Sequence, residues 1–73
     1  MKIYVNAREH LLDPGFVTYR DVVNLAEERG TPTVTYHVRL DGDLSRSGVM
    51  YTGCKPVDLA DGMVFNVMHT DNA

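Results

Sequence analysis

The sequence has little cysteine, little lysine and no long apolar run, and each shortage excludes something. Its single cysteine, Cys54, cannot form an internal disulfide, so a reducing compartment fits best. A reactive thiol there would need an electropositive neighbour, and no histidine lies near it in sequence. A small, half-buried apolar side chain is the plainer expectation for Cys54. The only lysines are Lys2 and Lys55, and no stretch clusters lysine with arginine. Ten acids against seven bases give a formal net charge of −3, so the basic footprint of a nucleic-acid binder is missing. The apolar runs are a few residues long, far short of the ~20 needed to cross a bilayer. The opening Met1-Lys2-Ile3-Tyr4-Val5-Asn6 alternates from the start, unlike the apolar core of a signal peptide. The expectation is a cytoplasmic protein with neither nucleic acid nor membrane as a partner.

What is present suits a small globular domain. At 73 residues roughly 60% of the unfolded chain's surface is buried on folding, enough for one thin core. A hydrophobic share of 44% against 23% charged argues against disorder. So short a chain has little room to wall off a deep pocket. It reads as a protein that is recognised and not as an enzyme, with no cofactor implied.

Along the chain, Met1, Ile3 and Val5 alternate with Lys2, Tyr4 and Asn6, which predicts a strand over residues 1–7. Asn6-Ala7-Arg8-Glu9 offers a tight turn, because asparagine tolerates unusual backbone angles. A short strand returns over residues 9–13 with Leu11 or Leu12 inward, closed by Asp13-Pro14-Gly15. Thr18 with Asp21 three residues on forms an approximate capping box. Val22, Leu25, Ala26 and Arg29 share one helical face, so a helix is expected from Tyr19 to Arg29, ended by Gly30 and Pro32. Thr33 to Leu40 is the strongest strand pattern, and Asp41-Gly42-Asp43 follows as a turn. Residues 44–55, with Ser45, Ser47, Gly48 and Gly53, read as irregular, with a short strand near Val49 to Tyr51. Residues 55–59 suggest a turn and a brief extended or 3₁₀ piece. Met63 to His69 is the last strand.

One amphipathic helix and a half-apolar sheet make a two-layer α+β domain. With the first and last strands adjacent at the centre, the order is that of a β-grasp: a four- to five-stranded mixed sheet with one helix packed across it. The domain is expected over residues 1–69, with a flexible tail over residues 70–73.

Other chemistry finds little support. His10, His37 and His69 fall on separate elements without zinc-ligand spacing. Asp41 and Asp43 flank a glycine, but the rest of a calcium loop is missing. Ser45 and Ser47 lack a nucleophile-elbow context, and Gly48 and Gly53 do not open a phosphate-binding helix. The outer sheet face is a better candidate. If Val34, Tyr36 and Val38 pack on the helix, alternation turns His37 and Arg39 outward, beside Asn66, Met68 and Tyr4. Such a mixed set suits partner docking.

Four blocks, in order, carry a resemblance. They are Lys2 to Asn6 followed by Arg8-Glu9-His10; Tyr19-Arg20-Asp21-Val22-Val23-Asn24-Leu25-Ala26; Val34-Thr35-Tyr36; and Asp61-Gly62-Met63-Val64-Phe65-Asn66-Val67. Together they span nearly the whole chain, and the chain resembles the bacterial multiubiquitin-type family of ubiquitin-like modifiers. The resemblance implies a modifier from a bacterial ubiquitination-like operon. Its partners would be an activating enzyme, a conjugating enzyme or its relative, and a JAMM-type zinc peptidase, with a role in antiphage defence. It also makes Thr70, Asp71, Asn72 and Ala73 the tail used in processing and conjugation.

The tail departs from the ubiquitin pattern. Ubiquitin ends in two glycines that thread a narrow tunnel in the activating enzyme, whereas no glycine follows Gly62 here. A peptidase removing Ala73 to expose Asn72, an enzyme tolerant of other ends, and a copy that binds without conjugation all remain open. Self-assembly or assembly with a partner belongs to the last of these.

Overall fold

A computed structural model of the chain describes residues 1–69. Its elements, in order, are β1 (Lys2–Val5), β2 (Arg8–Leu11), β3 (Phe16–Val17), α1 (Tyr19–Leu25), β4 (Thr33–Leu40), β5 (Asp43–Met50), β6 (Val57–Asp58) and β7 (Met63–Met68). Five strands form one mixed sheet in the order β2-β1-β7-β4-β5, and β3 pairs with β6 in a separate two-stranded sheet. The β1–β7 pair is parallel, and the other pairings are antiparallel. This is the expected α+β β-grasp, with five strands in the main sheet and the last one at its centre.

The core follows from strand alternation. Ile3 and Val5 of β1, Val34 of β4 and Met63, Phe65 and Val67 of β7 turn to one face and are buried there. Val22 and Val23 of α1 close over them, fully buried, with Tyr19 anchored by its hydroxyl, which donates to the Pro32 carbonyl. Burial of each such aliphatic side chain stabilises the fold by about 1.5–3 kcal/mol. The helix starts as expected. The Asp21 N–H donates to Thr18 Oγ1 (3.1 Å), and the Thr18 N–H donates to the Asp21 carboxylate (2.9 Å), completing the capping box.

The helix stops four residues sooner than its apolar stripe suggests. Glu27, and not Gly30, takes the left-handed position after the C-cap Ala26, with φ 58°. The Glu28 N–H then donates to the Val23 carbonyl and the Glu27 N–H to the Asn24 carbonyl, the paired bonds of a Schellman end.

A larger departure is β5. Residues expected to be irregular form an eight-residue strand that pairs with β4 from Val34↔Met50 to Leu40↔Asp43. Ser45 has no opposite number, because the register shifts between Val38 and Arg39, and this is a bulge. Gly48 lies opposite Tyr36, whose ring covers it: a Cβ on Gly48 would sit 2.6 Å from the Tyr36 hydroxyl. Tyr36 itself packs edge-on to Phe65, with ring centroids 6.2 Å apart.

Just past β2, Leu12 and not Leu11 packs on the core, and Leu11 is exposed. The β2 residue opposite Ile3 is His10, whose Nε2 is buried with no hydrogen-bond partner among the described residues.

Candidate functional site

The tail candidates Thr70, Asp71, Asn72 and Ala73 lie outside the described residues. The structure does define the strand that leads to them. β7 runs between β1 and β4, and its end is held from the side by Asn6. The chain turns away from the sheet at Asn6, so β1 can no longer supply backbone groups to β7. The Asn6 side chain supplies them instead. The Val67 N–H donates to Asn6 Oδ1 (2.8 Å), and Asn6 Nδ2 donates to the Val67 carbonyl (3.2 Å). The Asn6 N–H adds a bond to the Phe65 carbonyl (3.0 Å). A side-chain amide offers the same donor and acceptor as a peptide group, so the ladder continues past the turn. Two residues on, His69 Nε2 lies 3.6 Å from the Glu28 carboxylate, just beyond the end of α1.

The outer-face candidates come from three strands. Tyr4 and His37 both face Val64, from opposite sides, so Tyr4, Val64 and His37 form one row across the sheet. Asn66 pairs with Thr35 in the next row, and Met68 pairs with Thr33 in the one beyond. Arg39 extends the line the other way, past the bulge, opposite Leu44, and its guanidinium donates to the Gly42 carbonyl (3.3 Å). Arg39 and Met68 are therefore at opposite ends of a strip roughly 20 Å long at ~3.3 Å per residue. They cannot share one small contact, although Tyr4, Val64 and His37 can. Val64 is half-buried at the centre of the strip, and Val49, exposed, lies opposite Thr35.

The role of Asn6 was not legible in sequence. The asparagine signals only a tight turn, and its partner Val67 is 61 residues away. Alternation over Met63 to Met68 does carry the signal for Val64, which faces the same way as Asn66 and Met68.

Cys54 is half-buried against the core, with Sγ accepting from the Tyr51 N–H at 3.5 Å. Among the described residues, no three His, Cys, Asp or Glu side chains converge as a metal site would require. No described helix is long and apolar enough to cross a membrane. Comparison with family models, with characterised proteins and with solved structures gives no match.

Proposed function

We propose that this chain is a bacterial ubiquitin-like protein modifier that serves antiphage defence in the cytoplasm and is not itself an enzyme. A cognate activating enzyme would bring the tail carboxylate to ATP. The carboxylate oxygen attacks the α-phosphorus, an acyl-adenylate forms and pyrophosphate leaves. A thiol, amine or hydroxyl then takes the acyl group and AMP departs. A conjugating enzyme or its relative, and a JAMM-type zinc peptidase, complete the partner set. Thr70, Asp71, Asn72 and Ala73 are the processed and conjugated segment. Tyr4, His37, Arg39, Asn66 and Met68 form the docking strip.

The observation that carries this reading is the position of β7. A central strand, gripped at Val67 by Asn6, supports a rigid root from which a tail can enter a partner. The sequence blocks that resemble the modifier family include both of these pieces, Lys2 to Asn6 and Asp61 to Val67. The test is intact mass spectrometry after incubation with a cognate activating enzyme and ATP, with and without the peptidase. An adenylate or covalent adduct is expected, and loss of the mass of one alanine residue marks removal of Ala73. Absence of an adduct from every tail form overturns the reading. It would favour the second one, a binding or assembly module with an inert tail.

A further inference from the structure

The two edges of the main sheet are not alike. β2 is four residues long and carries Arg8 and Glu9, with Glu9 3.7 Å from Lys2 and Arg8 3.5 Å from Glu27. Short length and charge are the ordinary guards of a sheet edge. β5 is twice as long, has no proline and has one charged residue after Asp43. That residue, Arg46, is drawn toward the core side. Its guanidinium lies 6.0 Å from the Tyr36 ring centre, and Nη2 donates to the Asp58 carbonyl (2.6 Å). The bulge at Ser45 guards the distal part of β5. The regular run from Arg46 to Met50 has no such guard and, among the described residues, no strand beside it on its far side.

An open cleft of about 460 Å³ lies beside this run on the core side, between β5 and the segment from Cys54 to Asp58. Its charged lining is Arg46 and Lys55 against Asp58. Neither cation pairs with a carboxylate among the described residues. The cleft is thus locally positive in a chain of net charge −3. On the other face of the same run stand Ser47 and the exposed Val49, which also borders the cleft at its rim.

We infer that the Arg46–Met50 edge of β5 accepts an extended peptide of a partner protein whose residues alternate between acidic and apolar. Strand addition would use the free backbone groups of β5. Because strand side chains alternate, every second residue of the added peptide projects into the cleft and the others lie on the outer face. The residues in the cleft meet Arg46 and Lys55, which suits glutamate or aspartate; those outside meet Val49, which suits valine or isoleucine. The inference is independent of the tail and of any conjugation.

The probe is a blocked hexapeptide of alternating glutamate and valine, titrated into ¹⁵N-labelled protein, with its lysine–valine counterpart as control. Saturable amide shifts confined to Arg46–Met50 and the Cys54–Asp58 segment are expected. Affinity should fall about tenfold for the lysine peptide, the effect of losing one or two charge-assisted hydrogen bonds. Arg46→Gln with Lys55→Gln should give a similar loss. Lys55→Glu, at an exposed position, provides the same readout without disturbing the Arg46–Tyr36 contact. The inference is overturned by equal binding of the two peptides, by shifts centred on β2 or on Tyr4 and His37, or by no binding. Sedimentation equilibrium showing a dimer whose formation shifts the β5 amides would also overturn it, because a second copy would then occupy the edge.

Discussion

The two hairpins of the main sheet turn in the same way on different chemistry. Asn6-Ala7 joins β1 to β2 and Asp41-Gly42 joins β4 to β5; both are two-residue loops with positive φ at each position. This is the type I′ pattern, which suits the twist of the flanking strands and favours asparagine or aspartate followed by glycine. The second turn has that glycine, at φ 85°, whereas the first places Ala7 at φ 67°. An alanine in the left-handed region costs about 1–2 kcal/mol. The first hairpin tolerates this because Asn6 is bound to β7 through three hydrogen bonds. Among the described residues the second hairpin has no comparable clamp to another strand, and between its strands Tyr36 covers Gly48. One hairpin is held by polar groups that extend the ladder, and the other by an aromatic ring that fills a gap in it.

The sharpest way to break this contrast is Asn6→Ala. It removes both side-chain bonds to Val67 and puts a second alanine at positive φ, for a loss of about 2–3 kcal/mol. Urea denaturation should show a lower midpoint with an unchanged slope, and hydrogen exchange should speed up at Val67 and Met68. Unchanged exchange there would mean that the clamp is dispensable. On the other hairpin, Gly48→Ala should cost about 2 kcal/mol, because the new methyl forces the Tyr36 ring off its seat against Phe65. Loss of the Tyr36–Phe65 cross-peaks in NMR would locate the damage.

Gly42→Ala should cost about 1–2 kcal/mol from the backbone alone, because nothing lies within 4 Å of the added carbon. The smallest effect is the most diagnostic. Ala7→Gly should stabilise by about 0.5–1 kcal/mol, the relief of strain less the entropy gained by the unfolded chain. The matching rise in melting temperature is about 2–8 °C for a domain of this size, readable by calorimetry. A decrease would show that the Ala7 methyl contributes a contact that outweighs its strain.

Much of this architecture was legible from residue pattern, and the misses have physical causes. β1, β4 and β7 alternate cleanly and stand where alternation puts them. The capping box fixed the helix start, but nothing local announces that Glu27 would take the left-handed turn ahead of Gly30. β5 was hidden because Ser45, Ser47 and Gly48 give no apolar alternation. It is a strand because β4 pairs with it and because Tyr36, twelve residues earlier in the chain, replaces the side chain that Gly48 lacks. The two-residue strands β3 and β6 are too short to carry a pattern at all. Of the outer-face candidates, alternation assigned the side correctly and said nothing of the distance between Arg39 and Met68. That distance depends on register, which no single strand encodes.

The parallel pairing of β1 with β7 also has a mechanical consequence. The chain enters β1 at one end of the sheet and leaves β7 at the other, so tension applied between Met1 and His69 would slide the two strands along each other. Their hydrogen bonds would then share the load at once instead of opening one after another. The Asn6–Val67 amide bonds lie at the loaded end of that contact and add to it. Such a domain should yield at a high force and a slow unfolding rate when pulled from its ends, as by an unfoldase. Asn6 would then govern mechanical endurance as well as equilibrium stability.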